Sequence, residues 1–380
     1  MIAARRWARA ADLLLGGRHF LTFDRIVFVC ERLCARQVGN LLLSRLEGRL
    51  RTARPLSYPI ALQLEPTVQC QLACPLCPRE RVNAGSGDGL MSTTAYARLM
   101  AEIGPRLLAI AFWQWGEPLL HPELPEMVRE ASRRGILTLL STNAQADPEA
   151  CRLGDLFGAG LDMLIVSCDG VSPDVYRAFR AQGDVAAVRR FLPAAARLRD
   201  ERGGGRPLIN VRMIATRDSE FEIARVRAFA RDAGADLFSI KSVSIYDSDD
   251  PAHPALPGDP ALRSYQYRDA AAAAAYAAEP NRCLKPWAWP TLRHDGTLLL
   301  CECDHALAHP LGNVFAEGSF GRVWRGERAA RLRRAFSRDG RIALEFCGRC
   351  RYKRDDAMRR TEVLRPAPWA SPLPPLTGAG

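Results

Sequence analysis

Between residues 56 and 245, short apolar runs alternate with longer stretches whose apolar positions recur every three or four residues. The runs 60–65, 108–115, 136–141, 163–168, 208–214 and 237–243 read as strands, and 93–103, 125–134, 172–199 and 219–233 as helices. A succession of six βα units predicts a parallel sheet with right-handed crossovers and functional loops at the carboxyl ends of its strands. Six units rather than eight predict an α/β fold of the partial (β/α)6 TIM-like barrel kind.

The flanks read differently. From 24 to 50 the residues Val27, Cys30, Cys34, Val38, Leu41, Leu42 and Leu46 recur at helical spacing, with Arg25, Glu31, Arg32, Arg36 and Arg45 between them. This predicts an amphipathic helix whose apolar face, with Cys30 and Cys34 one turn apart, packs on the main domain. Residues 1–55 are thus expected to form a basic helical extension, 56–250 the barrel, 251–282 a linker with one Ala-rich helix (269–278), 283–352 a small cysteine-rich domain and 353–380 an irregular, proline-rich tail.

Twelve cysteines in 380 residues change the picture. The apolar stretch after Arg5, Arg6 and Arg9 is interrupted by Asp12 and is too short for a signal or a membrane span. A cytoplasmic chain keeps its thiols reduced, so metal or redox work is the expected use of the cysteines. The net charge of +11 is concentrated in residues 1–55, where eleven arginines face four acids to leave +7, with +4 elsewhere. That surface suits an anionic membrane and a membrane-peripheral placement, or simply a solvated helix face; no nucleic acid is expected.

The candidate chemistry begins at Cys70, Cys74 and Cys77, spaced by three and then two residues just after the first predicted strand. Three thiolates can hold three irons of a four-iron cluster and leave the fourth open for chemistry. Zinc sites generally pair two C-x-x-C units, and only one such half is present here.

The string CQLACPLC in this position resembles the signature of the radical S-adenosylmethionine superfamily, and other motifs at predicted strand ends agree. Trp115-Gly116-Glu117-Pro118 is similar to the family's Gly-Gly-Glu-Pro, Ser141-Thr142-Asn143 ends the third strand, and Ser167-Cys168-Asp169-Gly170 ends the fourth. The chain departs from the family pattern at Leu76, where an aromatic residue often stands, and at Trp115, in place of the first glycine. The resemblance implies a [4Fe-4S] cluster on Cys70, Cys74 and Cys77 that binds S-adenosylmethionine. It also implies a cofactor site with Gly116, Glu117 and Pro118 at the methionine ammonium. Thr142, Asn143, Ser167 and Asp169 would face the ribose or carboxylate, and Arg212 would pair the carboxylate as a planar fork. Cys168 falls on the opposite strand face and reads as outer packing, and Cys151 as helix core.

The second group, Cys283, Cys301, Cys347 and Cys350, can saturate a cluster, or serve as a structural zinc site. Its layout resembles the SPASM domain and its shortened twitch form, which implies one auxiliary [4Fe-4S] cluster for electron transfer or support. Cys303 lies two residues past Cys301 in a predicted strand and would point the same way, as an alternative ligand, a hydrogen-atom donor or an idle thiol. The resemblance further implies a flavodoxin- or ferredoxin-type electron donor.

The expected activity is hydrogen abstraction from a small polar metabolite, with net oxidation of the dehydrogenase type or epimerisation. The alternative is a peptide- or protein-modifying maturase; against it, residues 1–55 read as helices, without the strands of a leader-binding winged module. A more distant alternative is a non-catalytic metal-binding protein.

Overall fold

The computed structural model describes residues 16–82, 88–203, 205–246, 248, 250–278, 283–336, 344–348, 350, 358–365 and 370–372. The chain opens with β1 (His19–Phe23) and β2 (Ile26–Cys30), an antiparallel hairpin, followed by helix α1 (Ala35–Leu50). Hairpin residues Asp24 and Arg25 both have positive φ (46° and 66°), the conformation of a tight two-residue turn that matches strand twist.

Six parallel strands follow: β3 (Ala61–Leu64), β4 (Ala109–Phe112), β5 (Leu137–Thr142), β6 (Met163–Ser167), β7 (Leu208–Ala215) and β8 (Leu237–Ser242), paired in that order. Helices α2 (Thr93–Ile103), α3 (Leu124–Ser132), α4 (Leu153–Gly158), α5 (Pro173–Phe179), α6 (Val185–Glu201) and α7 (Ile223–Asp232) connect them. Alternation along each strand divides the packing. Leu62, Ile110, Phe112, Leu140 and Leu164 are buried with the helices, whereas Ala61, Ala109, Ala111, Leu139, Met163 and Ile165 face inward. The open barrel predicted from the six units is the fold observed.

The cysteine-rich unit continues the same sheet. β9 (Thr291–Leu292) pairs parallel with β3, and β10 (Thr297–Leu299) and β11 (Gly312–Asn313) extend it antiparallel. At the other edge β12 (Met358–Val363) pairs antiparallel with β8, and β13 (Ala370–Pro372) joins β2. The tail is therefore partly strand where an irregular segment was expected: proline at position 372 sits at a sheet edge, where its missing N–H does no harm. The Ala-rich helix α8 (Ala270–Ala278) lies where the linker reading put it.

The N-terminal region corrects the sequence reading most. Residues 24–34 are hairpin and turn, so Cys30 ends β2 and Cys34 precedes α1, and the two do not share a helix face. The period-2 pattern of Ile26, Phe28 and Cys30, all buried, was masked by a coincident helical spacing. In α1 the buried face is mostly polar: Gln37, Asn40, Ser44 and Glu47 go inward beside fully buried Leu41, which the apolar stripe did predict. Gln37 Nε2 donates to the Leu107 carbonyl (2.9 Å), Asn40 to that of Tyr58 (3.0 Å) and Ser44 to that of Trp287 (3.1 Å). Glu47 accepts from the Leu56 and Ser57 amides (2.7 and 3.0 Å). These loop groups needed partners, so polar side chains took the buried face and Leu42, Leu46 and Leu50 stayed exposed. Residues 1–15 and most of the tail lie outside the described residues. Among the described residues no helix is long and apolar enough to cross a membrane.

Candidate active site

Cys70, Cys74 and Cys77 line one cavity at the carboxyl ends of the strands, together with Gly116, Glu117, Thr142, Asn143, Ser167 and Arg212. A tight turn shapes the loop: the Cys77 amide donates to the Cys74 carbonyl at 3.0 Å. Two donors point at the Cys70 sulfur, the Leu72 amide (3.5 Å) and Asn143 Nδ2 (3.6 Å). Burial pushes the Cys70 thiol up to about 11 and raises that of Cys77. Such thiols keep their protons until a cation replaces them, so binding of iron would release protons.

The second loop is pressed against the first. A Cβ on Gly116 would stand 1.9 Å from the Thr67 carbonyl oxygen, so only glycine fits, and the Glu117 amide donates to the Gln69 carbonyl at 2.7 Å. Glu117 is buried and accepts from Thr142 Oγ1 (2.7 Å), the Asn143 amide (2.7 Å) and the Leu119 amide (3.2 Å). Burial outweighs these bonds and lifts its carboxyl to about 7. Pro118 starts the short 3-10 turn Pro118–Leu120 that follows Glu117, behind the cavity wall.

The sequence-predicted residues thus divide. Thr142 and the Asn143 backbone serve Glu117, and the Asn143 side chain serves Cys70. Asp169 is fully buried and pinned between Arg180 and the Ile214 amide (2.6 Å), so it stands behind the cavity rather than facing a ligand. Ser167 faces the cavity. Arg212 lines it too, but its Nη2 is already ion-paired with Asp24 of the hairpin. Arg180, on the cavity wall beside Cys74, had no motif to announce it: it follows α5 in an irregular turn. Cys168 is buried on the outer face with the helices.

At the barrel's seam with the cysteine-rich unit, fully buried Glu65 accepts from Arg293 Nε and faces His294 Nδ1, both at 3.1 Å. This fixes the second unit to the strand that precedes the Cys70 loop. In that unit Cys283, Cys301, Cys303, Cys347 and Cys350 influence one another electrostatically. Cys303 Sγ is 3.5 Å from Cys350 Sγ, and its bond to Cys301 is the leading cause that raises the Cys301 thiol, with burial second. Cys303 therefore belongs to the group, although it lies in a turn after β10 rather than in a strand. Cys303 and Cys350 also line a further cavity with Tyr246, Asp304 and His305.

Soft thiols in sets of three and five suit iron-sulfur chemistry. Among the described residues none of these sets closes tightly enough to hold a single metal ion.

Comparison with known proteins agrees. Residues 64–208 match the radical SAM superfamily and residues 283–351 the SPASM iron-sulfur cluster-binding domain. The tungsten-containing aldehyde ferredoxin oxidoreductase cofactor-modifying protein of Pyrococcus furiosus is 27% identical over 185 residues, 48% of this chain and 51% of that protein. PqqA peptide cyclase of Ruegeria pomeroyi is 27% identical over 283 residues, 70% of this chain and 74% of that protein. Apart from that match, the chain spans about half the length of the first curated relatives it resembles. In fold it is similar to Streptococcus suis SuiB bound to precursor peptide SuiA, with a TM-score of 0.58, 12% identity and coverage of 82% of this chain and 80% of that one. It is also similar to anSMEcpe with bound AdoMet, with a TM-score of 0.52, 16% identity and coverage of 78% and 88%. The chain belongs to the radical S-adenosylmethionine superfamily with a C-terminal SPASM domain, and its cofactors are S-adenosylmethionine, the [4Fe-4S] cluster that binds it and an auxiliary [4Fe-4S] cluster.

Proposed function

We propose that this radical S-adenosylmethionine enzyme modifies a peptide or a protein. The observation that carries the reading is the match to PqqA peptide cyclase, which covers 70% of the chain and is longer than the barrel from Ala61 to Ser242 alone. The objection drawn from the sequence, that residues 1–55 lack strands, falls with the hairpin β1–β2 and the three-stranded sheet it forms with β13. The match to a peptide cyclase favours this reading over the first expectation, oxidation or epimerisation of a small polar metabolite, and over the oxidoreductase type that went with it.

In this reading Cys70, Cys74 and Cys77 hold the cluster that binds S-adenosylmethionine, and Cys283, Cys301, Cys347 and Cys350 hold the auxiliary one. When bound, the first cluster and S-adenosylmethionine would supply radical chemistry for hydrogen abstraction, given an electron from a flavodoxin- or ferredoxin-type donor. The protein's own residues bind and aim. Glu117, held by Thr142 and Asn143, would accept from the methionine ammonium; Gly116 lets its loop meet the cysteine loop; Asp169 holds Arg180 as a cation beside Cys74. The inward face, from Ala111 to Ile165, excludes water.

The test is anaerobic incubation of reconstituted protein with S-adenosylmethionine, reductant and deuterated peptides, with deuterated cyclitols and amino sugars in parallel. Deuterium reaching 5′-deoxyadenosine from a peptide supports the reading. Label from a small metabolite and from no peptide would overturn it.

A further inference from the structure

Turning polar side chains of α1 inward leaves most of its leucines outside. Among the described residues seven large apolar side chains are exposed, and four of them come from this helix and the turn after it: Leu42, Leu46, Leu50 and Leu56, 46–73% exposed. At about 3.6 residues per turn, positions four apart lie one above the other, so Leu42, Leu46 and Leu50 make one stripe, which exposed Ala35 and Gly39 continue toward the amino end. The same geometry sets exposed Arg45 and Arg49 along one flank of the stripe and exposed Arg36 along the other. The only acid of the helix, Glu47, is buried, where it holds the Leu56 and Ser57 amides (2.7 and 3.0 Å). The outward face of α1 is therefore apolar down the middle and positive on both sides.

Charge decides what can cover it. A second copy would set Arg36, Arg45 and Arg49 against their own counterparts with no acid of the helix between them. Residues 1–15 bring Arg5, Arg6 and Arg9 against the single acid Asp12, so they too are repelled. A specific protein partner is met by about one hydrogen bond per 100–200 Å2, yet the exposed positions of α1 include no neutral hydrogen-bonding side chain, only Ala, Gly, Leu and Arg. An anionic lipid surface answers both halves of the pattern. Acyl chains take the leucines, while arginine stems lie along the apolar boundary and carry their charges out to the headgroup phosphates.

We propose that the outward face of α1 docks the protein on an anionic lipid bilayer, with the helix in the plane of the surface, Leu42, Leu46 and Leu50 at the acyl boundary and Arg36, Arg45 and Arg49 among the headgroups. The contact is peripheral and does not depend on the peptide reading.

The probes are vesicles of phosphatidylcholine with about 30% phosphatidylglycerol and vesicles of phosphatidylcholine alone, floated with the reconstituted holoenzyme at about 0.1 M salt. The anionic vesicles are expected to bind at least about tenfold more tightly, and the combined variant Leu42→Gln, Leu46→Gln and Leu50→Gln to lose about tenfold or more of that affinity. Arg36→Gln with Arg49→Gln should weaken binding about threefold or more and flatten its salt dependence. Arg45, which also meets His19 (3.3 Å), is left in place. Because these side chains are exposed, both variants should keep the wild-type melting temperature and iron content. Wild-type affinity in the leucine variant would reveal a purely electrostatic contact and overturn the proposal, as would equal binding to the two kinds of vesicle. A dimer in sedimentation that the leucine variant dissolves, without vesicle binding, would assign the face to a second copy instead.

Discussion

Asp24, at the tip of the N-terminal hairpin, is ion-paired with Arg212 on the fifth parallel strand, 188 residues further along the chain. The side chains are 10% and 8% exposed, and the pair ties the first element of the fold to the cavity wall.

Breaking such a pair leaves one buried charge unmet, which costs more than losing both. Asp24→Ala or Arg212→Ala alone is expected to destabilise the iron-free protein by about 3–5 kcal/mol, and the double variant by clearly less than the sum. Urea unfolding of the three variants measures the coupling, and simple additivity would refute it.

The Glu117 carboxyl titrates near 7 in the folded protein against 4.5 for the ordinary group, because burial penalises its charge. A raised folded value means that the folded state holds the proton more tightly. The contribution to stability is therefore fully present below about pH 4.5 and is lost as pH rises through about 7. The iron-free protein should lose melting temperature between about pH 5 and 8, and Glu117→Gln should remove Glu117's share of that slope. With the carboxylate in its proposed role of accepting from the methionine ammonium, S-adenosylmethionine affinity should run the opposite way and rise with pH over the same interval. Parallel slopes in wild type and Glu117→Gln would contradict the assignment.

At Gly116 a single methyl group would overlap backbone, not a side chain that can swing away. Gly116→Ala is expected to force the two loops apart, cost about 1–3 kcal/mol, and weaken S-adenosylmethionine binding severely. Equilibrium binding and thermal melts of the same sample check both. Ala at wild-type affinity would mean that the loops do not abut.

Iron content separates the two cysteine sets. The wild type should carry about eight irons per chain, and the Cys70, Cys74 and Cys77 triple alanine variant about four, with loss of 5′-deoxyadenosine formation. About four irons and one zinc in the wild type would instead identify the second site as zinc. Cys303→Ala should keep about eight irons if its contact with Cys350 and Cys301 is supporting rather than ligating.

Much of the site was legible from the chain alone, because short motifs on strand ends need only the local frame. Cys70 to Cys77, Gly116-Glu117 and Thr142-Asn143 each follow a strand whose period is plain, and a parallel sheet brings such ends together. Arg180 was not legible, since it carries no motif and reaches the cavity only through the fold. The hairpin was misread because Ile26, Phe28 and Cys30 satisfy a strand's alternation while Val27, Cys30 and Cys34 satisfy a helix's period.

The sequence by itself determined the six βα units, the two cysteine sets and the family to which they belong, since each depends on spacing within a few residues. Only the tertiary structure decided that the N-terminal region is a hairpin packed on the sheet's inward residues, that polar residues of α1 join Leu41 on its buried face, that Asp169 stands behind the wall, and that Arg212 meets Asp24. The physical reason is the same throughout. A side chain's role depends on which partner satisfies its charge or hydrogen bonds, and for these residues that partner comes from a distant part of the chain.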